Sequence, residues 1–150
     1  MSFLYLLEGI RCPFLDRLFS LITELGGETL YMAVAIAVYW CVSKGLGYYI
    51  LTTGFVGTIA NQFLKLCFRI PRPWVLDPDF SIVESARAGA TGYSFPSGHT
   101  QNAFSSFGCR GMWTKGGWRA LCFAIVVLIG FSRMYLGVHT PLDVGVSFVV

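Results

Sequence analysis

The chain is 150 residues long, room for one domain, and it is 55% hydrophobic, 13% charged and formally +3 at neutral pH. Soluble domains carry about 25% charged residues, and so short a chain cannot hide this much apolar surface in its own interior; an ordinary soluble globule is excluded and a membrane protein is implied. The small positive charge gives no argument for a nucleic-acid partner, and the five scattered cysteines read as small core residues, not as a disulfide framework or a metal site.

In chain order, the N-terminal run up to Leu7 has no basic leader and is interrupted by Glu8, which argues against a cleaved signal peptide. Residues 2–10 place Phe3, Leu6, Leu7 and Ile10 on one face and predict a short interfacial helix ended by Pro13. Phe14 to Leu25 reads as an amphipathic helix or a first span, with Asp16 and Arg17 at its start and Glu24 at its end. Gly26-Gly27 predicts a turn, and a clear span follows from Glu28 to about Val42, with Tyr39 and Trp40 at the membrane interface. Lys44-Gly-Leu-Gly47 predicts the next connection. Tyr48 to Phe68 predicts a third helix whose Gly54, Gly57 and Ala60 allow close packing.

From Arg69 to Phe95 the chain carries Pro71, Pro73, Pro78, Asp77, Asp79, Glu84 and Arg87, and it reads as one long loop. Loops of that length in compact domains are usually functional or disordered. A fourth helix runs from Ser97, a good N-cap, to about Trp113; His99, Asn102 and Ser106 give it a polar face that belongs inside a bundle. A fifth runs from Trp118 to about Leu136. A sixth starts at Thr140-Pro141 and has only about 15 Å of rise before Val150, so a span cut short is expected. The reading is a single all-α domain over residues 1–150, a six-helix transmembrane bundle with an N-terminal interfacial helix. Six alternating spans put the N-terminus and the turns near 44 and 110–119 on one side, with Arg11, Arg17, Lys44, Arg110, Lys115 and Arg119. The positive-inside rule makes that side cytoplasmic. The long loop and both histidine-bearing helix starts are then expected at the extracytoplasmic face of a plasma membrane.

The polar groups of this apolar chain gather in three places. In Pro96-Ser97-Gly98-His99, Pro and Gly punctuate the backbone, the first helical turn offers N–H groups to an anion, and His99 adds a group that titrates near neutral pH. Lys65 ends the third helix, and Arg72 follows two turns later where Pro71 and Pro73 stiffen the chain. Arg133 lies near the end of the fifth helix, then His139, then Asp143 four residues on, a spacing that lets a carboxylate hold an imidazole in one tautomer. That is the arrangement of a nucleophile and its orienting group. Taken singly, Lys65 and Arg72 also fit interfacial charges snorkelling from helix ends, Arg133 with Asp143 fits a structural ion pair, and the acidic loop residues fit simple solvation.

Together, Lys65-Leu-Cys-Phe-Arg-Ile-Pro-Arg72-Pro73, Pro96-Ser97-Gly98-His99 and Ser132-Arg133-Met-Tyr-Leu-Gly-Val-His139-Thr-Pro-Leu-Asp143 resemble the three motifs of the type 2 phosphatidic acid phosphatase (PAP2) superfamily, complete and in order. The resemblance implies a lipid phosphatase acting on a lipid phosphate or diphosphate without metal or other cofactor. It implies that Lys65, Arg72, Ser97, Gly98 and Arg133 hold the phosphate, that His139 is the nucleophile oriented by Asp143, and that His99 protonates the leaving oxygen and then activates water. Transfer of the phosphoryl group to an acceptor other than water uses the same site, and a transporter of anions or phospholipids is the alternative of another class. Membrane lipids are the expected surroundings, and oligomeric state is left open.

Overall fold

The computed structural model describes residues 2–149, and among these every regular element is helical. Helix α1 spans Ser2–Gly9, α2 Pro13–Glu24, α3 Glu28–Cys41, α4 Lys44–Phe68 and α5 Pro73–Leu76. A 3₁₀ turn covers Glu84–Ala86. Then α6 (Gly98–Ala103), a π-helical turn (Phe104–Gly108) and α7 (Cys109–Trp113) follow without a break, before α8 (Gly117–Tyr135) and α9 (Pro141–Ser147). Proline occupies the first turn of α2, α5 and α9, where its missing N–H costs nothing and its fixed φ suits the helix.

The connection expected at Lys44-Gly-Leu-Gly47 is instead the first turn of α4. The Ser43 hydroxyl accepts from the Leu46 N–H at 3.4 Å, and this cap moves the helix start back to Lys44. The turn is short because α3 and α4 nearly touch. A side chain at Gly47 would collide with the Tyr39 backbone, and one at Gly54 would collide with the Tyr31 ring. Tyr31 lies across that gap, and its hydroxyl donates to the Ile50 carbonyl at 2.5 Å. Gly57 leaves equivalent room for Gln101 of α6. The small residues of α4 thus bring α3 and α6 against it, one on each flank.

Six alternating passes do not describe the N-terminal third. Helices α2 and α3 together form one pass, bent by 44° at Gly26-Gly27. That bend lies within the bundle: a Cβ on Gly26 would sit 2.7 Å from the His99 carbonyl. Above it, α2 climbs beside the last turns of α8, with Thr23 bonded to Arg133 at 3.0 Å and Asp16 to Tyr135 at 2.9 Å. The chain before α2 stays at the same end. Arg11 donates to the carbonyls of Tyr135 (3.1 Å) and Ser81 (2.7 Å), Glu8 accepts from Ser81, and Tyr5 donates to Asp77 at 2.6 Å. Helix α1 therefore lies with the long loop, not opposite it.

This corrects the charge count. With Arg11 and Arg17 moved, the far end keeps Lys44, Arg110, Lys115 and Arg119, against seven cations at the loop end. All eight carboxylates of the chain also fall on the loop side.

Among the described residues, α8 alone is by itself long and apolar enough to cross a membrane, and α2 with α3 passes the same test as a bent pair. Helix α4 has the length, at 25 residues, but its inner face carries buried Asn61 and Lys65. Polarity turned toward the bundle interior lowers mean hydropathy without exposing a charge to lipid. A Gly54→Ala substitution should cost about 1–3 kcal/mol, because the Tyr31 ring must move and its bond to Ile50 is lost. Thermal unfolding in detergent checks this, with Gly45→Ala, where Cβ meets only the Ser43 hydroxyl at 3.9 Å, as the silent comparison.

Candidate active site

The end of α4, the loop behind it and the ends of α8 and α6 enclose a cavity of about 400 Å³. Three cations face it: Lys65 from the last turn of α4, Arg72 from just before α5, and Arg133 from the last turn of α8. All are buried. A buried charge needs partners, and the long loop supplies them as backbone carbonyls. Lys65 Nζ donates to Tyr93 at 2.8 Å. Arg72 donates to Gly92 (3.2 Å), Thr91 (2.8 Å) and Val138 (3.0 Å). The loop is itself pinned by the Ser94 N–H on the Ile70 carbonyl at 2.8 Å. Burial pushes the Arg72 guanidinium down to about 10, with Asp143 pulling the other way, so it is charged at neutral pH.

Arg133 is different. Only 1% exposed, it spends one nitrogen on the Thr23 hydroxyl, and Nε and Nη2 have no partner. Orphaned donors on a buried guanidinium are costly. They mark the place where an anion would be most strongly held.

His139 follows a turn that requires glycine. Gly137 has φ +80°, and a Cβ there would lie 2.7 Å from Arg11 Nη2 and 3.0 Å from the Phe80 ring. The Val138 and His139 N–H groups share the Arg133 carbonyl, at 3.2 and 3.3 Å. His139 Nε2 stands 3.0 Å from Arg72 Nη1. A guanidinium only donates, so Nε2 accepts and the ring proton sits on Nδ1, which faces Asp143 Oδ2 at 3.5 Å. Burial, with Arg72 and Arg133 adding to it, drives the imidazole well below its usual pKa, against the opposing pull of Asp143. His139 is therefore a neutral base at the cavity wall, its lone pair taken up by Arg72.

The spacing of four brings His139 and Asp143 together, but by a different route from a shared helix face. His139 precedes Thr140, the N-cap of α9, and so is not in the helix. Asp143 is the third residue of a capping box with Thr140, and its Oδ2 folds back to accept from the Thr140 N–H at 2.8 Å and from Ser94 at 2.5 Å. That oxygen is fixed before it meets the imidazole.

His99 and Gly98 line the cavity. Ser97 and Asp143 stand behind its wall. Ser97 precedes α6, yet its hydroxyl caps nothing and accepts instead from Thr100 at 3.0 Å, while its N–H donates to the Asp143 carbonyl at 3.2 Å. It ties the start of α6 to α9. Sequence reading missed Thr23, Ser94, Asn61 and Gln101, the first two because a lone hydroxyl carries no signal until the fold shows what it touches. Asn61 and Gln101 had one, since Asn61 lies one turn before Lys65 on a largely apolar helix and Gln101 lies two after His99 on a helix with a polar face.

An all-helical bundle with three buried cations and two histidines on one cavity is of a class suited to phosphate groups. The chain matches the PAP2 superfamily over residues 43–150 and belongs to it. It is 35% identical over 99 residues, 65% of its length, to undecaprenyl-diphosphatase BcrC of Bacillus subtilis. Its fold is similar to the crystal structure of Aquifex aeolicus LpxE, with TM-score 0.84, 28% identity, and 99% of this chain and 87% of that one covered. It is also similar to a transmembrane PAP2-type phosphatidylglycerolphosphate phosphatase from Bacillus subtilis, with TM-score 0.83, 25% identity, and 98% and 76% covered. The chain spans about half the length of the curated relatives it matches, 48% for the diphosphatase.

Replacing Thr23 by Val removes the one partner of the Arg133 guanidinium among the described residues and should weaken binding of inorganic phosphate roughly tenfold, the effect of losing one hydrogen bond to a charged group. Titration calorimetry of the purified protein measures it.

Proposed function

We propose that the chain is a membrane phosphatase that hydrolyses the phosphate monoester or diphosphate of a lipid through a phosphohistidine. The observation that carries this reading is His139 lining a cavity with Lys65, Arg72 and Arg133, its Nε2 an acceptor held by Arg72. The names of the related proteins, a prenyl diphosphatase and a phosphatidylglycerolphosphate phosphatase, support a lipid substrate. Composition, the span-length α8 and the likeness to a transmembrane enzyme support the membrane.

A phosphate entering the cavity brings its oxygens to the unpartnered Nε and Nη2 of Arg133 and to Lys65, and it draws Arg72 Nη1 off His139. His139 Nε2 then attacks phosphorus in line as the ester bond to the leaving oxygen breaks, and His99 gives that oxygen its proton. The imidazolium that results keeps Nδ1–H toward the Asp143 carboxylate. His99, now neutral, takes a proton from water, whose oxygen attacks phosphorus, releases phosphate and restores His139. The cations and the Gly98 and His99 N–H groups at the open first turn of α6 stabilise the charge on the equatorial oxygens. Ser97 would join them only by turning its hydroxyl away from Thr100. Phosphate release from a lipid phosphate should fall on the order of 10⁴-fold or more in His139→Ala. A transporter would show no release at all, and a phosphotransferase would leave the phosphoryl group on an added alcohol.

The value of kcat should rise from the acid side with a limb below pH 6.5, because attack needs neutral His139 and its pKa is lowered, and fall on the alkaline side as His99 loses the proton that the negative charge of the bound phosphate holds on it. An acid limb above pH 6.5, or no alkaline fall, contradicts the pair. Because cationic side chains do the work a metal does elsewhere, activity should survive chelation by EDTA; a complete loss restored by magnesium contradicts that.

We further propose that the site opens to the extracytoplasmic side of the cytoplasmic membrane. Arg11 is bound to Tyr135 and Ser81, Arg87 pairs with Glu84, and the pocket uses three cations more. That leaves Arg17 and Arg69 at the site end against Lys44, Arg110, Lys115 and Arg119 at the other, a bias in the direction of the positive-inside rule. In single-cysteine variants an impermeant maleimide should label Cys12 on intact cells and Cys41 only after permeabilisation. The reverse pattern inverts the orientation.

A further inference from the structure

The cavity has a second wall that phosphoryl transfer does not use. At about 400 Å³ it falls within the range of pockets that enclose a whole small molecule, about 300–1,000 Å³, so a phosphoryl group leaves space beside it. That space is bounded by Thr58, Asn61 and Gln62 of α4, Gln101 and Asn102 of α6, and Glu28 at the start of α3. No cation lies among them. Asn61 is the telling member: it is 2% exposed, one helical turn below Lys65, and its amide nitrogen has no partner. An unpaired buried amide is costly unless something fills it. The neighbouring Gln101 is already committed, donating to Ser105 at 3.0 Å.

Amides both donate and accept, and Glu28 only accepts when ionised. A wall of that kind suits hydroxyl groups, which do both. A second phosphoryl group could accept from the amide N–H groups, but it would bring its own negative charge toward Glu28 with no cation on that wall to offset it. Among the described residues, the lysine and arginine side chains facing the cavity are the three around the scissile phosphate.

Resting on the phosphatase reading, we infer that Asn61, with Glu28, forms a leaving-group subsite selecting phosphate monoesters whose alcohol carries further free hydroxyls, of the glycerol or sugar kind, over lipid diphosphates. A subsite built to bond a hydroxyl discriminates against an analogue that lacks it, because the buried amide is then left unpaired.

The test compares kcat/KM of the purified protein on three micellar substrates of matched chain length: an alkyl phosphate bearing a glycerol hydroxyl, a plain alkyl phosphate, and a prenyl diphosphate. The wild-type protein should favour the hydroxylated monoester over both others by tenfold or more. Asn61→Leu should cut the ratio of hydroxylated to plain substrate at least tenfold. Glu28 is exposed at the cavity edge, so Glu28→Gln should fold and should raise the relative rate on the diphosphate several-fold; it decides the matter if Asn61→Leu does not fold. A wild-type preference for the diphosphate, or ratios that neither variant moves, overturns the subsite while leaving the phosphatase intact. No phosphate from any substrate overturns the phosphatase reading itself.

Discussion

Three positive side chains held close together out of water are the constraint on which the rest of the structure depends. Lys65, Arg72 and Arg133 repel one another, and Asp143 is the one carboxylate buried with them. Backbone carbonyls of the 69–95 loop, not carboxylates, hold Lys65 and Arg72. Carbonyl dipoles hold a cation without neutralising it, so the cavity stays positive and suits an anion. A fully paired site would be more stable and would have little to offer a phosphate.

The scaffold is arranged to keep that geometry. Glycines in α4 let α3 and α6 approach closely, so Gln101 and Asn61 can share the cavity with Lys65. The bend at Gly26-Gly27 seats the α2–α3 corner against the first turn of α6 and presents Thr23 to Arg133. Arg11 clasps the other side, over the Phe80 ring and against Gly137, two residues from His139. The capping box of α9 serves both helix and site, since the same carboxylate oxygen closes the helix end and faces the imidazole.

Much of this was legible in the sequence because charge is rare in it. In a chain so poor in charge, Lys65, Arg72, Arg133 and Asp143 stand out, and their neighbourhood to the two histidines at helix starts marks one end of the bundle. What spacing could not show was direction. It placed Asp143 on a helix face beside His139, whereas a loop residue meets a folded-back cap. It read Gly26-Gly27 as a loop between two spans, because a glycine pair at the end of a helix looks the same whether the chain reverses or merely bends. Helix α1 was consequently placed at the wrong end. Ser97 was read as a cap from its residue type, and only the fold shows its hydroxyl taken up by Thr100.

On the proposed mechanism His139, facing Asp143 and surrounded by three cations, is the group that receives the phosphoryl. The most direct measurement is mass spectrometry of the denatured His99→Ala variant after brief reaction with an aryl phosphate, whose good leaving group needs no acid and whose phosphoenzyme then lacks the base that would clear it. A phosphoryl group on the peptide carrying His139 is the expected result. Its appearance on another residue, or turnover of the substrate with no phosphorylated peptide at any time, would contradict it.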